Sequence, residues 1–128
     1  MKKVFTILIA DRNPRVRGFL QREMSREGYR ILLAENARDL LEWPPDRDPV
    51  DLIILDPDLP DAADSPLMSM LRKRMPLVPV IIHVHPSHNL TEPEVARSSI
   101  TVEKGGNSIE RLKEVAQDIL KCPPEEYP

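Results

Sequence analysis

The sequence predicts a doubly wound α/β domain, and three observations support that expectation. Five short apolar runs recur along the chain, most of them rich in β-branched residues or leucine. Between them lie segments whose apolar residues repeat at helical spacing behind capping residues. The 14 prolines in 128 residues fall almost all between the runs or at helix starts, where a missing N–H costs little. Nearly continuous apolar runs are how strands read when a parallel sheet is covered on both faces. Alternating strands and helices, joined by right-handed crossovers, then put helices on both sides of that sheet.

The first run is Val4–Ala10, cut off by Asp11 and Arg12. Asn13-Pro14 offers an N-cap and an N1 proline for a helix whose inward face is expected to carry Val16, Phe19, Leu20 and Met24. Gly28 supplies its stop, and Tyr29–Ala34 is the second strand. Asn36 to Asp39 resembles a capping box, with Ala37, Leu40 and Leu41 facing inward. Val50–Leu55 is the third strand; Ser65-Pro66 opens a third helix with Leu67, Met70 and Leu71 inward and Arg72, Lys73 and Arg74 at its negative end. Pro79–Val84 is the fourth strand, Thr91 to Glu94 caps a short fourth helix, and Ser99–Val102 is the fifth strand. Asn107 caps the last helix, with Ile109, Leu112, Val115, Ala116, Ile119 and Leu120 as its stripe. The domain is expected over residues 1–122, with 123–128 as a proline-rich tail or the start of a linker.

Composition narrows the class. A chain of this length buries roughly 68% of its unfolded surface, so it needs no disulfide or metal to hold a core. With 41% hydrophobic and 30% charged residues it is neither disordered nor membranous in type. A net charge of −3 gives no footprint for direct nucleic-acid binding. Cys122 is the single cysteine, which excludes an internal disulfide and favours a reducing, cytoplasmic setting. Val4–Ala10 is too short to span a membrane and lacks a cleavage pattern.

Ligands of open parallel sheets gather at the carboxyl ends of the strands. Those ends carry Asp11, Asp56, Val84 with His85, and Lys104, so two carboxylates and an ammonium are expected to converge. The stretches ILIADRNPRVRGFL and DLIILDPDLPD resemble the response regulator receiver domains of two-component signalling, over about residues 4–121. The resemblance implies a flavodoxin-like (βα)5 fold with five parallel strands in the order 2-1-3-4-5. It implies Asp56 as phosphoacceptor, Lys104 as the contact to phosphoryl group and carboxylates, and Asp11, Asp56 and the Asp58 backbone carbonyl as ligands for Mg²⁺. A carboxylate can attack phosphorus to form an acyl phosphate, and cations neutralise the transferred group. The partners implied are a sensor histidine kinase or phosphotransfer protein, an output protein on the face of the fourth helix, fifth strand and last helix, and a second copy as homodimer. The domain itself is not expected to be an enzyme.

Several positions depart from the family pattern. Arg12 stands where a second acid normally binds Mg²⁺; a guanidinium offers only donors, so metal binding is expected to be weak. Either Arg12 points to solvent, or it reaches Asp56 or Asp11 and partly replaces the metal's charge. Val84 replaces the usual hydroxyl, Thr101 the usual aromatic switch, and Gly105 the proline after the lysine. His83 and His85 alternate on one strand and His88 follows, but no ligand set for a metal is complete. His85 and Asp58 are placed at the rim of the acid pocket, where a pair would respond to pH.

The pattern reads as an atypical receiver, with a phosphorylation-independent interaction module on the same fold as the alternative. Asp56-Pro57-Asp58 also looks like the Asp-x-Asp of haloacid-dehalogenase-type phosphatases, but the later strand ends lack the acids that chemistry needs. A flavin-binding module would need a phosphate loop where Asp11-Arg12-Asn13-Pro14 stands, and a thioredoxin-like role would need Cys-x-x-Cys.

Overall fold

The computed structural model describes residues 4–61, 67–86 and 100–121. Five parallel strands form one sheet in the order β2-β1-β3-β4-β5: β1 Thr6–Ala10, β2 Arg30–Ala34, β3 Leu52–Leu55, β4 Val80–Val84 and β5 Ile100–Glu103. The described helices are α1 Pro14–Arg26, α2 Ala37–Leu41, α3 Leu67–Arg74 and α4 Ser108–Lys121. The expected sheet and strand order are therefore present, with each strand start trimmed by one or two residues among those described. The fourth helix expected from Thr91, together with His88, Ser65-Pro66, Ser99, Cys122 and the tail, lies outside the described residues.

Both faces of the sheet are apolar because its central strands are. On one side Leu8, Ile53, Leu55 and Ile82 pack against Ala37 and Leu40 of α2 and Leu67, Met68 and Leu71 of α3. On the other, Ile7, Ile9, Ile54 and Ile81 meet Leu20 and Met24 of α1 and Leu112, Val115 and Ala116 of α4. The alternation of neighbouring residues between the two clusters is the period of two of a strand. Lys113 on α4 also reaches Glu23 on α1 at 3.1 Å, joining the two helices of this face at their outer edge.

Local chemistry sets the helix ends. Asn13 Oδ1 accepts from Arg15 N and Pro14 opens α1. Gly28 ends the connection to β2 at φ 94°, a left-handed conformation that a Cβ would oppose. Asn36 Oδ1 accepts from Asp39 N as expected. The reciprocal bond differs: Asp39 accepts from Glu35 N, one residue before the cap. Asp61, after β3, accepts from Ala37 N and Arg38 N and so ties the β3–α3 loop to the start of α2. These backbone bonds hold the Asp61 carboxyl below the ordinary range.

Two inward assignments are corrected. Phe19 is 43% exposed and Met70 40% exposed, whereas Met68 is buried. The helical period places Met68 with Leu67 and Leu71 on α3's sheet-facing stripe, and Phe19 falls at the margin of α1's. Burial predicts the energetic order. Leu112→Ala, at a residue with no exposed surface, should cost about 2–5 kcal/mol in urea unfolding. Leu77→Ala, at a residue 93% exposed, should change stability by less than about 0.5 kcal/mol.

Candidate functional site

The sheet's hydrogen-bond ladder itself positions the site. Asp11 N donates to Ala34 O at 3.2 Å, Asp56 N to Ala10 O at 2.8 Å, and Lys104 N to Val84 O at 2.7 Å. Each site residue thus makes one more inter-strand bond beyond its own strand. That fixes three backbones from distant parts of the chain at one end of the sheet. Arg17, one turn into α1, adds a clamp by donating from Nη1 to the Asp11 carbonyl at 2.7 Å.

Asp11 and Asp56 are each 1% exposed. Lys104 Nζ lies 3.2 Å from Asp11 Oδ2 and 3.4 Å from Asp56 Oδ2, so one ammonium bridges both carboxylates. Backbone amides supply further compensation. Asn13 N donates to Asp11 Oδ1 at 2.9 Å, Asp58 N to Asp56 Oδ1 at 2.9 Å, and Arg12 N to Asp56 Oδ2 at 3.5 Å. Asp11 Oδ2 has the Lys104 charge beside it but, among the described residues, no aligned hydrogen bond. Burial pushes the Asp11 carboxyl up and the charge of Asp56 adds to this; the Asn13 amide and Lys104 oppose them.

Arg12 does not simply face solvent. Although its side chain is 54% exposed, its Nε lies 3.8 Å from Asp56 Oδ2. A guanidinium therefore stands near the carboxylate where a metal ligand was expected from the resemblance. Two buried carboxylates remain as side-chain oxygen donors, and among the described residues no group of three His, Cys, Asp or Glu side chains is arranged to hold a metal. Mg²⁺ is commonly held by one or two carboxylates with water filling its other positions, so Asp11 and Asp56 could serve as its side-chain ligands, while the Arg12 guanidinium brings a competing positive charge beside Asp56.

The other expected positions are also placed. Asp58 is half-buried in the loop after β3, and His85 is exposed just past β4. Val84 is buried in the α2–α3 cluster, and Thr101 is exposed on the edge strand β5. The sequence placed His83 on a strand with His85 but did not show that it is buried and unpaired. Its ring is 3% exposed, on the face of α1 and α4, and among the described residues neither nitrogen has a hydrogen-bond partner. Burial pushes its imidazole down to about 4, helped by the Lys104 ammonium and opposed by Asp56. The available signal was the strand itself: β4 is apolar on both faces, so His83, on the face of Ile81, is buried like its neighbours.

With this geometry in hand, comparison with known proteins gives the class. Residues 7–117 match the response regulator receiver domain, and the chain belongs to that family. The chain is 28% identical to the response regulator TrrA from Thermotoga maritima, in a crystal structure in complex with Mg²⁺-BeF. That match has a TM-score of 0.79 and covers 91% of this chain and all of the other. TrrA in a crystal structure with the histidine kinase ThkA matches at 27% identity and a TM-score of 0.76, over 91% of this chain and 99% of that one. Among curated proteins, the DNA-binding transcriptional regulator NtrC of Bradyrhizobium sp. (strain RP501 Parasponia) is 35% identical over 77 residues, or 60% of this chain. The match spans only 16% of that relative's length. The chain is thus a receiver domain of two-component signalling, and no helix among its described residues is long and apolar enough to cross a membrane.

Two buried groups should contribute to the pH dependence of folding. Because the folded state lowers the His83 pKa, its unfolded form takes up a proton first as pH falls below 6.5. Stability should then drop by roughly 2 kcal/mol between pH 7 and 5, a loss that His83→Leu removes in urea unfolding at the two pH values. Asp11 has the opposite sign. Its folded pKa is raised, so its ionised form opposes folding at neutral pH. Asp11→Asn should raise the urea midpoint at pH 7, and the gain should vanish once the medium is acid enough to protonate Asp11 in both states.

Proposed function

We propose that Asp56 is the phosphoacceptor of this receiver, with Lys104 and Arg12 as its counter-charges and Mg²⁺ binding weak. The observation that supports this is the single ammonium of Lys104 bridging two buried carboxylates, within 3.4 Å of Asp56. In the reaction a carboxylate oxygen of Asp56 attacks phosphorus and the bond from phosphorus to a donor histidine breaks. The electron pair returns to the imidazole, which takes up a proton. The product is an acyl phosphate on Asp56. Lys104 is placed to meet the added negative charge, and Arg12 supplies one further positive charge near the same Asp56 oxygen. His85 and Asp58 form the rim of this pocket. The domain acts as a signalling receiver rather than as an enzyme that turns over a substrate.

The donor in this reading is a sensor histidine kinase or phosphotransfer protein, by analogy with TrrA and ThkA. The output partner takes the face that includes β5 and α4, and a homodimer would use the same elements. Setting and output are cytoplasmic and protein-mediated, without direct contact to nucleic acid by this domain.

A second reading is favoured by one observation: the Arg12 guanidinium at 3.8 Å from Asp56 supplies a permanent charge partner. Val84 offers no hydroxyl to a phosphoryl group and Thr101 no aromatic to move. On that reading the domain binds its partner whether or not Asp56 is modified. Intact-mass analysis after incubation with acetyl phosphate, with and without Mg²⁺, separates the two. A single phosphoryl adduct that is absent in Asp56→Asn is expected, with the rate raised at least about ten-fold by Arg12→Asp in the presence of Mg²⁺. No adduct in either the wild type or Arg12→Asp would leave the constitutive module as the function.

A further inference from the structure

The outer faces of α1 and α4 carry opposite charge. On α1, Arg15, Phe19, Arg22 and Arg26 recur at helical spacing, so they form one stripe, and all four are exposed. On α4, Glu110, Glu114 and Asp118 recur every fourth residue and are exposed as well. Leu20 and Met24 on one helix and Leu112, Val115 and Ala116 on the other pack towards the sheet, so both stripes point away from it. The two helices run the same way, because each returns from a strand of a parallel sheet. Lys113 lies 3.1 Å from Glu23 and sets their relative height, which places Arg22 and Arg26 level with the stretch from Glu110 to Asp118. Arg26 and Glu114 also pair within their own helices, with Glu23 and Arg111 at 3.1 Å. Such surface pairs are screened by solvent, contribute little and can be exchanged.

This arrangement selects one kind of occupant. A partner of a single charge sign would be attracted to one helix and repelled by the other. A second copy turned about a two-fold axis parallel to the helices brings α1 of each chain onto α4 of the other, so basic meets acidic twice. Phe19 is 43% exposed and lines the cleft between α1 and the start of α4, together with Val16, Leu20 and Ser108. It therefore leans towards α4, near where that axis passes, and the two Phe19 rings meet at the centre of the contact.

We propose that the α1 and α4 face is a self-association surface, with Phe19 at its centre and Arg22 and Arg26 of each copy against Glu114 and Asp118 of the other. Here α1 takes the place of β5 in the contact, so the exposed edge strand with Thr101 stays open. The helices have 13 and 14 residues, which makes each about 20 Å long and the pair about 20 Å wide. That footprint of roughly 400 Å² is about half of what each partner of a standard interface contributes, so the dimer is weak and concentration-dependent. The surface stands independently of whether Asp56 is phosphorylated.

The test is sedimentation equilibrium of the full chain. A monomer–dimer equilibrium with a Kd of about 10–300 μM is expected at about 0.05 M salt, weakened at least about five-fold at about 0.5 M. Phe19→Ala should weaken it at least about ten-fold. Arg22→Glu and Glu114→Arg should each weaken it by about as much, and the two combined should restore it to within about three-fold of the wild type. All three positions are exposed, and urea midpoints establish that each variant is folded. The proposal is overturned by a chain that stays monomeric up to about 1 mM at low salt. It is equally overturned if the folded charge-reversed variants dimerise as the wild type does, or if the combined variant fails to recover. A dimer lost in Thr101→Arg but kept in Arg22→Glu would place the second copy on β5 and overturn it too.

Discussion

In a parallel sheet covered by helices on both faces, a charged side chain within a central strand has nowhere to go but into apolar packing. The strands of this domain obey that constraint from Ile7 to Ala10 and from Leu52 to Leu55, all of them essentially without exposed surface. Charge is therefore displaced to the first residue beyond each strand: Asp11, Asp56 and Lys104. The parallel register then brings those residues to one edge, because every strand runs the same way. The acid pocket is thus a consequence of how the core is buried, and the ladder bonds that continue through Asp11, Asp56 and Lys104 make it rigid.

Clustering two buried carboxylates has an electrostatic cost that the surroundings must offset. Three backbone amides and one ammonium do so here, and Arg12 adds a guanidinium at the outer side. A divalent cation and a fixed monovalent one are different solutions to the same problem. The cation comes and goes with concentration, whereas Arg12 is covalently present. That difference connects the substitution at one position to the two uses of the domain, as a phosphorylation switch or as a constitutive surface. Val84 points the same way: it packs in the α2–α3 core, where a residue without a hydroxyl has no reason to follow a phosphoryl group.

His83 is, among the described residues, an unpaired polar residue buried within the central strand β4. Local inconsistencies of this kind are expected where function competes with packing. Its neighbourhood supports that view, since the cleft it lines lies beside an exposed phenylalanine and shares a lysine with the acid pocket.

The sequence by itself determined the strands, the two long helices and the identity of Asp11, Asp56 and Lys104 as strand-end residues. Apolar runs, capping residues and prolines are local signals, and each has the physical effect it has wherever the chain goes. It also showed that Arg12, Val84 and Thr101 depart from the receiver pattern, because residue type alone decides what can ligate, donate or stack. Only the tertiary structure decided which way Arg12 turns, since a long flexible side chain chooses among partners brought together by the fold. The same holds for Phe19 against Met68, whose burial depends on how far α1 and α3 are rotated over the sheet, and for the Arg17 clamp on Asp11. His83 shows the limit most clearly: its place on a strand was legible, but its isolation from any partner depended on what α1 and α4 laid over it.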